Sequence, residues 1–151
     1  LLKSENPHIL NISPPLDMNP DWFSGHVAYS MAKFGMSLCV LGMAAEFKDE
    51  GVAVNALWPR TAIATAAVKN VLGGEQLVNI SRGPEIMADA AYVILTKPSK
   101  ECSGYFCIDD TLLAENGVSD FSVYADVPFD QLAPDFFVPE DMPPPEAAKK
   151  S

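Results

Sequence analysis

From Val27 to Phe47 the chain spells a helix that is apolar on every side. Tyr29, Met31, Phe34, Leu38, Val40, Leu41 and Met43 go round the whole cylinder rather than forming one stripe. A helix of this kind has to be covered on two sides. One side can lie on a sheet; the other needs a second helix or a second subunit. Strands flank it. His8 to Ser13 is short, apolar and rich in large side chains, and reads as a buried strand. Pro14, Pro15 and Pro20 then forbid regular structure, which makes 14–25 a loop. Gly51 suits the left-handed position just past the helix. Gly51 to Trp58 is a continuous apolar run, as expected of a parallel strand covered on both faces. Strand, helix and strand make one βαβ unit, whose crossover is right-handed.

Further along, residues 59–74 form a loop with a helix-compatible stretch from Ala62 to Leu72. Gly83-Pro84-Glu85 marks a helix start, because proline fits the first helical position and an acid suits the positive end. That helix runs to about Thr96 and breaks at Lys97-Pro98; Gly104 to Ile108 reads as a third strand, followed by a turn at Asp109-Asp110. Three strands and three helices amount to about half of a doubly wound parallel sheet, so the expected fold is α/β with one open sheet edge. From Val127 the composition changes, with six of the 13 prolines. The expected division is a partial α/β domain over 1–126 and an acidic, Pro-rich tail or linker over 127–151. Phe129, Phe136 and Phe137 stand out in that tail and either dock on the domain or form a binding motif.

Net charge narrows the function classes. It is −10, and only ten Lys and Arg are spread over 151 residues, which argues against nucleic-acid binding. About half of that negative charge lies from Asp120 onward. No uninterrupted apolar run reaches the roughly 18 residues of a membrane span. Cys39, Cys102 and Cys107 are odd in number and lack metal-ligand spacing; with His8 and His26 they build no expected metal site, and they read as reduced thiols. The chain opens on Leu1 with no signal-peptide pattern and is expected to be a piece of a longer protein.

The chemistry-bearing motif is Tyr29-Ser30-Met31-Ala32-Lys33. Residues four apart on a helix share a face, so the phenol and the ammonium point the same way. A fixed cation favours the phenolate and lowers a tyrosine pKa from about 10. A tyrosine tuned in this way can donate a proton to a carbonyl, or take one from an alcohol, near neutral pH.

The order of strand, proline-rich loop, Tyr-x-x-x-Lys helix and then Val54-Asn55-Ala56-Leu57-Trp58-Pro59 resembles the C-terminal half of the short-chain dehydrogenase/reductase family over roughly 9–110. Asn11-Ile12-Ser13-Pro14-Pro15-Leu16, Gly42-Met43-Ala44, Thr61-Ala62-Ile63, Thr65-Ala66-Ala67 and Pro134-Asp135-Phe136-Phe137 add to the likeness. The resemblance implies a Rossmann-like fold and an NADP-dependent oxidoreductase acting on a lipid-like alcohol or ketone. It implies Tyr29 as proton donor and acceptor and as a cofactor-binding residue, Lys33 as the residue that lowers its pKa and binds the nicotinamide ribose, and Pro59, Thr61, Ile63 and Thr65 on the nicotinamide side. It implies a mobile substrate lid over 62–72. It further implies a peroxisomal address, with mitochondrion or cytoplasm as alternatives, and a sterol-carrier domain following in some members. The 27–47 helix, apolar on both sides, is expected to pack against a copy of itself in a homo-oligomer.

Two positions depart from the family pattern. The family often ends the first of these strands with two serines, the second catalytic; here Pro14 follows Ser13. Either Ser13 takes the catalytic role through a shifted loop or the serine function is missing. The family normally has Pro-Gly where Pro59-Arg60 stands. Arg60 either forms a surface salt bridge or faces an anionic ligand. The G-x-G-x-x-G turn that would hold the pyrophosphate is absent from this chain, and Gly73-Gly74 follows no strand. The 151-residue piece is therefore expected to be inactive alone. The rival expectation is a catalytically inactive family member serving as a binding or assembly module.

Overall fold

A computed structural model describes residues 1–150. Its strands are β1 (His8–Ile12), β2 (Ala53–Trp58) and β3 (Phe106–Ile108), in sheet order β1-β2-β3. β1 and β2 are parallel, with His8 opposite Ala53 and Ile12 opposite Leu57. The helices are α1 (Val27–Glu46), α2 (Gly74–Val78), α3 (Glu85–Thr96) and α4 (Asp109–Glu115), with a π-helical turn at Val68–Leu72. The chain divides into two compact units. The first holds residues 1–58, 91–107 and 137–139; the second holds 59–90, 108–136 and 140 onward.

The βαβ unit forms as the sequence pattern requires. β2 is buried along its whole length, as a central parallel strand covered on both faces should be. α1 buries Ser30, Phe34, Ser37 and Val40, which follow one another at three- and four-residue spacing along one face. Val40 packs with Val52, Val54 and Ala56, and Ile9, Met43, Ala44, Phe47 and Phe106 close around them. Asn55 is a polar side chain inside this strand, and its bonds explain its place. Its amide donates to the Cys102 carbonyl at 2.7 Å and its oxygen accepts from the Tyr105 amide at 3.0 Å, which fixes the approach to β3.

An apolar stripe of α1 beside the buried one is uncovered in this chain: Val27, Met31, Leu38 and Leu41 are each more than half exposed. By length and composition α1 is also apolar enough to cross a membrane, which qualifies the expectation that no stretch reaches span length. Here its buried stripe lies on the sheet, as a crossover helix does.

Two further expectations need correction. Asp109-Asp110 do not form a turn; they open α4 and are fully buried. The region 62–72 is not one continuous helix: Ile63 pairs with Arg82 in an isolated parallel bridge, and the helical turn begins only near Val68.

Candidate functional site

In the first unit, Tyr29 and Lys33 occupy the opening turns of α1, one turn apart on an unbroken helix. Several bonds hold that end of the helix against the chain leaving β1. The Lys33 ammonium donates to the Ile12 carbonyl at 3.1 Å. Ser37 Oγ donates to the Pro14 carbonyl at 2.7 Å, and the Asn11 amide donates to the Met36 carbonyl at 3.3 Å. Ser30 Oγ donates to the Trp22 carbonyl, and Trp22 Nε1 donates to Asp17 Oδ2 at 2.7 Å, which orders the proline-rich loop. The Lys33 ammonium also sits 5.1 Å from the centre of the Trp58 ring, where the negative face of the indole attracts it. The lysine is thus fixed at the C-terminal edge of β1 and β2, the edge at which open parallel sheets bind ligands. Ser13 lies just beyond β1 and is fully buried, and its hydroxyl has no hydrogen-bond partner.

Phe137 completes this cluster. It is fully buried, and its ring meets four others: Tyr29 (5.7 Å, stacked at 16°), Phe34 (5.1 Å), Trp22 (5.9 Å) and Trp58 (5.9 Å). Its φ of 71° makes it the one non-glycine residue with positive φ among the described residues. Left-handed backbone at a side-chain-bearing residue costs about 1–3 kcal/mol and persists only where the surroundings enforce it. Tyr29 remains 49% exposed beside this stack.

In the second unit, Pro59 is buried directly after β2. Thr61 forms an antiparallel bridge with Pro134, and its buried hydroxyl has no partner. Thr65 is exposed and its Oγ1 accepts from the Val68 amide at 3.3 Å, capping the π-turn. Arg60 corrects both sequence alternatives, because it is neither on the surface nor available to an anion. Its Nε donates to both oxygens of Asp110 at 2.7 and 2.8 Å. Nη1 donates to the Met142 carbonyl at 2.7 Å, and Nη2 donates to Thr111 Oγ1 at 2.8 Å. Asp110 also pairs with the wholly buried Arg82 at 3.2 Å. Arg82 lies between the rings of Phe121 and Phe129, at 5.6 and 5.5 Å. This cluster was not legible in the sequence: it pairs residues 28 and 50 positions apart, and no local pattern marks Arg82 as interior.

Asp109 sits in the same cluster. Its Oδ1 accepts from the amides of Arg60 and Asp110, and its buried Oδ2 has no partner. Burial, then the neighbouring Asp110 charge, push its carboxyl up to about 7, against the two amides and Arg82, which pull it down. Unfolded, the group titrates near 4. Between those values the folded chain keeps a proton that the unfolded chain has released, so stability falls as pH rises from about 4 to 7 and levels off above. In Asp109→Asn, urea midpoints from pH 4 to 7 should show a flatter slope than wild type. An unchanged slope would mean that Asp109 titrates normally.

A cleft of about 270 Å³ in the second unit is lined by Ala64, Ser81, Glu85, Tyr124 and Asp126 among others, and by none of the predicted site residues. Tyr124 donates to Asp89 Oδ2 at 2.7 Å, and burial together with that bond pushes its phenol up to about 12. A phenol held protonated in this way makes a poor base. No group of three or more potential metal ligands occurs among the described residues.

The fold that carries this site is shared with solved dehydrogenases. A protein described as a dehydrogenase from Xanthomonas campestris superposes with a TM-score of 0.84 at 50% identity, over 92% of this chain and 50% of its own. A short-chain dehydrogenase from Mycobacterium thermoresistibile gives 0.81 at 49% identity, over 94% and 50%. The chain belongs to the short-chain dehydrogenase/reductase family and is a partial domain of its Rossmann-like fold. Within that family it is similar to hydroxysteroid dehydrogenase-like protein 2. It is 56% identical to the Danio rerio protein over 145 residues, 94% of this chain, and 55% identical to the Homo sapiens protein over 150 residues, 99% of this chain. The chain spans about a third of the length of these curated relatives, 34% in both cases. No family model matches it.

Proposed function

We propose that this segment carries the proton-transfer and ribose-binding part of an NADP-dependent oxidoreductase acting on a lipid-like alcohol or ketone. The observation that carries the reading is the Tyr29–Lys33 pair at the start of α1, with the ammonium fixed beside the end of β1. Its residues suit the ribose and nicotinamide side of such a cofactor. No glycine-rich turn follows a strand in this chain to hold the pyrophosphate. A bound nicotinamide supplies or accepts the hydride. Tyr29 Oη gives a proton to the carbonyl oxygen in reduction, or takes it from the hydroxyl in oxidation. Lys33 holds the ribose and favours the phenolate. Ser13 Oγ, buried and without a hydrogen-bond partner, is assigned to orient the substrate oxygen. Pro59, Thr61, Ile63 and Thr65 are assigned to the nicotinamide side on the family pattern.

NADPH titrated into the full-length protein, followed by its fluorescence, tests this. Binding should weaken about tenfold or more in Lys33→Ala; equal affinity in wild type and variant would remove Lys33 from the site. A second reading, an inactive member acting as an assembly module, is favoured by the buried Ser13 and by the ring that covers one face of Tyr29. No NADPH binding by the full-length protein would select it.

We also assign the exposed apolar face of α1 to a homo-oligomer contact. Light scattering of the full-length protein should give a dimer or larger, and a clean monomer would contradict it. A peroxisomal address is part of the same proposal, and imaging of the tagged full-length protein checks it.

A further inference from the structure

We propose that Phe137 is a positioning residue for the Tyr29–Lys33 pair, setting the plane of the reacting phenol. The inference rests on the oxidoreductase reading and deepens it. Phe137 stacks flat on Tyr29, and its edge and face are pinned by Phe34, Trp22 and Trp58. Trp58 is also the ring under the Lys33 ammonium, so one side chain contacts the phenol and the platform of its cation. Stacking on one face restricts the rotation of the phenol ring, and the residue stays half exposed. The left-handed backbone fits this role, since ordinary packing does not require a strained residue at the one position that reaches all four rings. Acidic, Pro-rich surroundings on either side in sequence make a fully buried phenylalanine there the exception to its own segment.

The test uses the full-length protein, NADPH, and a panel of medium- and long-chain ketones. Phe137→Leu keeps an apolar side chain and removes the flat ring. It should lower kcat at least tenfold, change KM for NADPH less than twofold, and move the tyrosine limb of the pH–rate profile upward. Phe137→Tyr keeps the ring and should restore most of kcat. A kcat and pH limb unchanged in Phe137→Leu would overturn the inference. Should that variant fail to fold, wild-type NMR decides: Tyr29 ring signals, assigned by their loss in Tyr29→Phe, should be shifted upfield by the stacked ring. Signals at the positions of a free, exposed tyrosine would overturn the inference as well. The two readings fail separately. Retained turnover in Tyr29→Phe removes the oxidoreductase assignment, whereas lost turnover in Tyr29→Phe with normal turnover in Phe137→Leu removes only the positioning role.

Discussion

Tyr29→Phe in the full-length protein should lower NADPH-dependent turnover of apolar ketones by about 10²–10⁴-fold, the usual weight of a positioned general acid. The substitution deletes one oxygen and keeps the ring, so the stack on Phe137 and the packing of α1 survive. The loss should therefore appear chiefly in kcat, with the melting temperature nearly unchanged and the NADPH affinity lowered only by one ribose hydrogen bond. A fall in kcat far larger than the fall in NADPH affinity marks an interaction made mainly in the transition state. Wild-type turnover kept in the variant would show that the proton comes from elsewhere.

The second large effect concerns stability. Asp110→Ala should cost about 3–5 kcal/mol, because it strands two buried cations at once. Asp110 accepts both Arg60 bonds, at 2.7 and 2.8 Å, and the Arg82 bond at 3.2 Å. Arg60 keeps the Met142 carbonyl and Thr111, but Arg82 is wholly buried and its Nε and Nη2 already lack partners. The aromatic rings flanking Arg82 give back only part of the lost charge compensation. Against a typical domain stability of 5–15 kcal/mol, the loss removes a large share of the folding free energy. Asp110→Asn keeps the shape and one acceptor, and should fall between wild type and Ala. Urea unfolding measures both variants; a change under 1 kcal/mol in Asp110→Ala would mean that the ion cluster is hydrated in solution.

The sequence made some of this visible and hid the rest, for physical reasons. β1, α1 and β2 follow from runs of apolar residues cut by prolines and a glycine, which are local signals. α3 follows from Pro84 and Glu85 in the same way. α4 escaped because paired aspartates after a strand resemble a turn, and their burial depends on Arg60 and Arg82 from distant parts of the chain. Arg60 escaped for the same reason: its position read as a departure from a glycine, with nothing nearby to show an interior partner. The Tyr29–Lys33 pair was legible because helical spacing alone puts it together. Its aromatic surroundings were not, since Phe137 is 108 residues away from Tyr29 in an acidic, Pro-rich segment. Three phenylalanines there were the only hint.

The central claim is that the opening turns of α1 hold a nicotinamide ribose. A crystal structure of the full-length protein with NADP⁺ tests it directly. The account predicts ribose hydroxyls within about 2.7–3.2 Å of Lys33 Nζ and Tyr29 Oη. A nucleotide bound with its ribose away from both groups, or no nucleotide bound at saturating concentration, would contradict it.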